Sequence, residues 1–179
     1  MKVMNKEEAL RNAKKHCFFI GVNDSGAELC KPNACGMLVG GLEQLPDIES
    51  LIRKLRELEM DTVKINGVEV AWDFYKSNHF IDVLEVKAVT KPDFDLPGYA
   101  FAVHGSASEF TGDNESGFGL YYDKSRRLCE MAECIETPFG EFHIVAGDAA
   151  KRYFERYRCV EDFAKKKRRS AGNLLFGHS

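Results

Sequence analysis

Three residues with metal-binding side chains lie in short segments, each at one end of a strand-like apolar run. These residues are Cys35, His79 and His104. A thiol and two imidazoles held rigidly on strand ends can converge on one divalent cation, because metals of the zinc and manganese series accept such donors. Their types and positions therefore predict a divalent-metal site formed by all three side chains.

Each of these residues also has a structural explanation. Cys35 precedes an apolar run, where a thiol is a common core residue, and His79 could be a histidine that packs with its hydrogen bonds satisfied. His104 is the strongest functional candidate, since it lies where the apolar run 99–103 gives way to a polar loop. We expect His104 to act in catalysis as well as in metal binding.

The loop that follows His104 has the composition of a phosphate-binding loop. Gly105 lets backbone amides approach an anion, and Ser106 offers a hydroxyl donor. Acidic side chains further along the loop would repel phosphate unless a cation lay between them. The sequence predicts that a metal and a phosphate bind together here, and the alternative is a mobile, solvated lid.

The order of these segments resembles the RtcB family, the tRNA-splicing RNA ligases that join ends through a guanylylated histidine and manganese. In that family a Cys-Gly segment, an Asn-His-Phe segment and a His-x-Gly-Ser segment supply metal ligands and phosphate contacts. Here they appear as Cys35-Gly36, Asn78-His79-Phe80 and His104-Gly105-Ser106. The stretch Thr137-Pro138-Phe139-Gly140-Glu141 and the helix end at 162–169 also look like the family.

The resemblance implies a single domain over residues 1–179, similar to the core of the RtcB fold. It implies a divalent metal, manganese first and zinc as the alternative, with GTP as a further cofactor and RNA or a nucleotide as partner. Asn78 and Ser106 would then lie near a phosphate. The late histidine segments of the family have no counterpart before residue 179, and His143 could supply the missing catalytic imidazole. A homo-oligomer that completes the site is a further expectation.

Two other functions remain open from the residues themselves. A metal-dependent phosphoesterase would use the same cation to activate water, without a covalent nucleotide intermediate. A non-catalytic, zinc-stabilised binding module would instead use four cysteines in two pairs with four-residue gaps, which could form a closed tetrahedral zinc site. These cysteines are Cys30, Cys35, Cys129 and Cys134.

Composition limits the class of protein. The chain has 179 residues, 44% hydrophobic and 30% charged, which is typical of a globular protein with a sizeable core. A formal net charge of -3 argues against a uniformly basic nucleic-acid-binding surface, although residues 165–169 are all cationic. We expect these cations to be solvated in the last turn of a helix or to attract phosphate. Without a membrane span or signal peptide, we expect a cytoplasmic protein with reduced thiols.

The periodicity predicts an α+β fold with a mixed or antiparallel sheet and three or so helices. We expect helices over residues 6–15, from Pro46-Asp47 onward and from Asp148 onward. Strands are expected over 16–22, 35–39, 80–89 and 99–103, and hairpins across Asn66-Gly67 and residues 138–140. The first clear helix should bury Ile48, Leu51, Ile52, Leu55 and Leu58.

Overall fold

The computed structural model describes residues 17–22, 34–87, 96–138 and 140–177. In these ranges the chain has α+β architecture, with antiparallel sheets and three α-helices, which confirms the predicted fold class. The helix expected over residues 6–15 lies outside the described residues. The helices are α1 (Ile48–Met60), α2 (Arg126–Met131) and α3 (Gly147–Phe176). None of these helices has the length and apolarity needed to cross a membrane.

The chain separates into two compact units, each built from two stretches of sequence. Unit 1 contains Met1–Ala34 and Glu109–Val160, and unit 2 contains Cys35–Ser108 and Glu161–Ser179. Helix α3 contributes its first half to unit 1 and its second half to unit 2.

Unit 1 contains a three-stranded antiparallel sheet with β8 in the middle. Its strands are β1 (Cys17–Val22), β7 (Glu133–Thr137) and β8 (Gly140–Ala146), in the order β1-β8-β7. Strands β7 and β8 form the hairpin predicted across residues 138–140. Arg156 of α3 holds the loop before α2, since its guanidinium donates to the carbonyls of Phe118 at 2.9 Å and Ser116 at 3.0 Å.

Unit 2 contains the strands that carry the predicted metal ligands. Strands β2 (Gly36–Leu42), β5 (Phe80–Glu85) and β6 (Tyr99–Gly105) form an antiparallel sheet in the order β2-β6-β5. Strand β2 continues beyond residue 39, where it was predicted to end, because Gly40 and Gly41 stay paired with β6. Strand β5 ends at Glu85, earlier than predicted.

Two local predictions in unit 2, a tight turn and the start of a helix, are confirmed. The short strands β3 (Lys64–Ile65) and β4 (Val68–Glu69) meet at Asn66 and Gly67, whose φ angles of 53° and 82° are those an Asn-Gly turn tolerates. Helix α1 begins as predicted after Asp47, whose carboxylate accepts the Ser50 amide at 2.8 Å.

Helix α1 buries a narrower stripe than its sequence predicts. Leu58 is buried and Leu51 and Leu55 are half-buried, but Ile48 and Ile52 are 63% and 46% exposed. Leu51, Leu55 and Leu58 recur at four- and three-residue spacing, so they form one stripe. The two isoleucines lie at the edge of this stripe. The prediction that Ile48 and Ile52 are buried is therefore wrong.

The basic run of α3 is not a solvated helix end. The helix continues to Phe176, and Lys167 and Arg168 are only 0% and 5% exposed. Both lie on the stripe of α3 that packs in unit 2, together with Phe163, Ala164, Ala171 and Leu175. Gly172 lies inside the helix, where an added Cβ would meet Leu38 at 2.8 Å. Close packing of α3 on the sheet therefore buries two of the five cations.

Candidate metal centre

The register of the unit 2 sheet places His104 between its two neighbouring strands. His104 near the end of β6 pairs with Met37 of β2 on one side and with Phe80 of β5 on the other. The Phe80 ring stacks on the His104 imidazole, with centroids 5.0 Å apart and an angle of 24°. Packing against a neighbouring ring thus restricts the orientation of the imidazole.

Cys35 lies immediately before β2 and reaches the same imidazole. Its Sγ is 3.3 Å from His104 Nε2. Tetrahedral zinc binds sulfur at about 2.3 Å and imidazole nitrogen at about 2.0–2.1 Å, so two such ligands lie about 3.5 Å apart. The observed separation therefore fits two ligands of one cation with little movement of either side chain.

His79 lies beside this pair, and its ring is oriented by two hydrogen-bond partners. Nδ1 is 3.2 Å from the Asp73 carbonyl oxygen, and Nε2 is 2.9 Å from Ser106 Oγ. Because a carbonyl oxygen only accepts, Nδ1 carries the proton and Nε2 of the neutral ring has a lone pair. A histidine whose Nδ1–H is held by a backbone carbonyl is the usual arrangement around a metal ligand.

The backbone before His79 has an uncommon conformation. Ser77 has a φ of 60°, in the left-handed region that residues other than glycine rarely adopt. This turn leads through the exposed Asn78 to His79, which is half-buried. Strain of this kind is typical of residues held in place for function.

One nitrogen of His104 is buried without a hydrogen bond. Nδ1 has no hydrogen-bond partner among the residues that the structure describes. Leaving such an atom unsatisfied costs about 1–3 kcal/mol, and native proteins keep few of them.

The rings of His79 and His104 are not close enough in this structure to bind one cation together. Their centroids are 6.2 Å apart at an angle of 75°. Within the described ranges, the three ligand atoms of Cys35, His79 and His104 do not all lie within 4.8 Å of one another. The structure therefore brings Cys35 and His104 together and places His79 next to them, bound to Ser106.

A buried ion pair between Lys167 and Asp73 stabilises the residues next to the site. Lys167 Nζ donates to Asp73 Oδ1 at 2.6 Å, and the side chains are 0% and 6% exposed. Ser108 Oγ donates to the other Asp73 oxygen at 2.6 Å. Burial opposes ionisation of Asp73, but the hydrogen bonds from Lys167 and Ser108 and the charge of Lys167 outweigh it, so the pKa of Asp73 is lowered.

The two buried cations of α3 also fix the backbone that follows His104. Lys167 Nζ donates to the Ser106 carbonyl at 3.2 Å, and Arg168 Nη1 donates to the Gly105 carbonyl at 2.7 Å. An added Cβ on Gly36 would lie 2.7 Å from Arg168 Nη2, so the guanidinium also packs against the start of β2. Burial lowers the pKa of Arg168, and the nearby charges of Cys35 and Glu161 oppose that effect.

Sequence reasoning missed the role of Asp73 and the burial of Lys167 and Arg168. A single acidic residue inside the apolar stretch Trp72–Phe74 is a signal that could have identified Asp73, because an aspartate among buried aromatics needs a partner. Lys167 has no comparable signal, since its neighbours in sequence are also cationic.

The remaining predicted residues lie elsewhere. His143 belongs to unit 1, where it pairs with Cys134 across β7 and β8. Of the four cysteines in the alternative zinc site, Cys30 lies outside the described residues, and Cys129 and Cys134 are exposed in unit 1.

Comparison of the chain with protein-family models, curated proteins and solved structures finds no match. The resemblance to RtcB therefore depends on short sequence segments alone, chiefly those around Cys35, His79 and His104.

Proposed function

We propose that unit 2 binds a divalent cation through Cys35 and His104, with His79 as third ligand, and that the protein uses it for phosphoryl transfer. The contact of 3.3 Å between Cys35 Sγ and His104 Nε2 carries the proposal. A thiolate and an imidazole favour zinc, and the resemblance to RtcB favours manganese. The substrate class, RNA ends or a guanine nucleotide, is proposed from that resemblance alone.

Ser106 gives this site a direct coupling between metal and substrate. Nε2 of His79 has one lone pair, so it can accept from the Ser106 hydroxyl, as it does here at 2.9 Å, or bind a cation, but not both. When a cation takes that lone pair, the Ser106 hydroxyl becomes available as a donor to a phosphate oxygen. Asn78, exposed beside His79, offers an amide donor to the same anion.

The residues around the site fix the positions of its ligands and do not take part in the reaction. Asp73 fixes His79 through its carbonyl, and Lys167 and Arg168 fix the carbonyls of Ser106 and Gly105. A bound divalent cation would neutralise phosphoryl charge and orient the attacking hydroxyl or water. A pre-fixed backbone keeps ligand and substrate donors at constant distances, which phosphoryl transfer requires.

A cytoplasmic location is part of this proposal, because reducing conditions there would keep Cys35 available as a thiolate ligand.

The test is an activity assay with three proteins, the wild type, His104→Ala and Cys159→Ser. Cys159 is an exposed thiol of unit 1, so its variant controls for the loss of a cysteine or of fold. We expect the wild type and Cys159→Ser to convert end-phosphorylated RNA or GTP when Mn²⁺ or Zn²⁺ is added, and His104→Ala to lose at least about 100-fold in rate.

The products separate the candidate reactions. RNA joining that needs GTP supports ligation, whereas phosphate release without GTP supports the phosphoesterase. A wild type without metal-dependent turnover of either substrate, or a His104→Ala protein as active as wild type, would overturn the proposal.

A further inference from the structure

The hairpin of β7 and β8 in unit 1 brings a second set of metal-binding side chains to one face. Cys134 of β7 is paired directly with His143 of β8, and Glu141 lies two residues before His143 on the same strand. Directly paired residues, and residues two apart on one strand, share a face of the sheet. One ligand atom from each of these side chains lies within 4.8 Å of the other two.

We propose that Cys134, Glu141 and His143 form a second metal site, which binds zinc or a similar borderline divalent cation and cross-links the two strands. Sulfur, imidazole nitrogen and carboxylate oxygen are the three ligand types of protein zinc sites, at about 2.0–2.3 Å from the metal. Calcium and magnesium prefer oxygen ligands alone, so the thiol and imidazole exclude them. Because Cys134 is exposed, a fourth position remains open to water.

The imidazole of this set is already positioned. Tyr122 stacks on the His143 ring, with centroids 4.6 Å apart at an angle of 22°. Nε2 of His143 is buried and has no hydrogen-bond partner within the described part of the chain. Burial has already removed water from this nitrogen without giving it a protein partner, so binding a cation there needs little further desolvation. Stacking has already restricted the orientation of the ring, so binding also costs little conformational entropy.

The charges of the hairpin also favour a cation. Glu136 of β7 is paired directly with Glu141 of β8, and like charges placed opposite each other destabilise a sheet. A divalent cation between the strands would replace this repulsion by attraction.

A metal site on this hairpin is independent of the function proposed for unit 2. His143 would bind the cation together with Glu141 of the same strand and Cys134 of the paired strand. Cys134 would then be a ligand of this site and not of the four-cysteine zinc site predicted from the sequence.

The test measures zinc binding by the 179-residue chain in which the unit 2 site is removed by Cys35→Ser and His104→Ala. We expect this background protein to bind one equivalent of Zn²⁺ in a calorimetric titration and to melt at a higher temperature when zinc is added. Adding Cys134→Ser should weaken binding at least about 100-fold, because even a residue behind a ligand contributes about 10- to 100-fold.

Two further variants control the test. Cys159→Ser removes another exposed thiol of unit 1 and should leave the affinity unchanged. His143→Gln should weaken binding as strongly as Cys134→Ser, and circular dichroism of both variants checks their fold. A background protein that binds no zinc, or an affinity unaffected by Cys134→Ser, would overturn the proposal.

Discussion

Removing one partner of the buried pair of Lys167 and Asp73 should strongly destabilise unit 2. Lys167 is 0% exposed, and its ammonium donates to the Asp73 carboxylate at 2.6 Å and to the Ser106 carbonyl at 3.2 Å. Breaking a buried pair by removing one partner costs about 3–5 kcal/mol, because the other charge is left uncompensated. We therefore expect Asp73→Asn and Lys167→Met each to lower the free energy of unfolding by about that amount.

The assay is urea unfolding followed by fluorescence of Trp72, the chain's one tryptophan, which is buried in unit 2 next to Asp73. With an m value of about 2 kcal/mol per molar urea, the midpoint should fall by about 1.5–2.5 M. The double variant should recover much of the loss, since it leaves no unpaired charge.

Lys165→Met is the matched control, because Lys165 lies on the same helix and forms an exposed ion pair with Glu161 at 3.3 Å. Such a pair contributes about 0.3–0.5 kcal/mol. If Lys167→Met were no more destabilising than Lys165→Met, the ion pair would not be the support described above.

Three further predictions concern other parts of the molecule. Ser106→Ala removes the hydroxyl that competes for an imidazole nitrogen, so affinity for metal in a calorimetric titration should rise about 5-fold, the equivalent of one hydrogen bond of about 1 kcal/mol; weaker binding would contradict the competition. Gly119→Ala places a Cβ against the backbone of Gly112 and Thr111 and should lower the melting temperature of unit 1. Gly98→Ala in unit 2, whose Cβ would meet nothing within 4 Å, should leave the melting temperature of its own unit unchanged. Ser125 caps α2, and its hydroxyl donates to the Asp113 carboxylate. This hydrogen bond, together with two from backbone amides, lowers the pKa of Asp113 below its ordinary value. Since a lowered folded-state pKa stabilises only above the unfolded value, the difference in melting temperature between wild type and Asp113→Asn should shrink as pH falls below about 4, and a constant difference would contradict this.

Features determined by neighbouring residues were predictable from the sequence. The Asn66-Gly67 turn, the Asp47 cap and the hairpin at 138–140 each depend on residues within a few positions of one another. The contact between Cys35 and His104 was also predictable in kind, because both lie at ends of apolar strands that can pair.

Features determined by distant residues were not predictable. Lys167 and Asp73 are 94 positions apart, and a lysine within a run of five cations has the sequence pattern of a solvated residue. Only the packing of α3 on the unit 2 sheet decides which of those cations is buried. The pairing of Cys134 with His143 lies between these cases, since the hairpin was predicted but its register was not.

The most direct test of the unit 2 site is a crystal of the wild-type protein grown with Mn²⁺ or Zn²⁺, with diffraction data collected at the absorption edge of the metal. The account predicts an anomalous difference peak within about 2.5 Å of both Cys35 Sγ and a ring nitrogen of His104, with Ser106 Oγ released from His79. A map from metal-saturated crystals without a peak there, in which Cys35 and His104 keep their 3.3 Å contact, would contradict it.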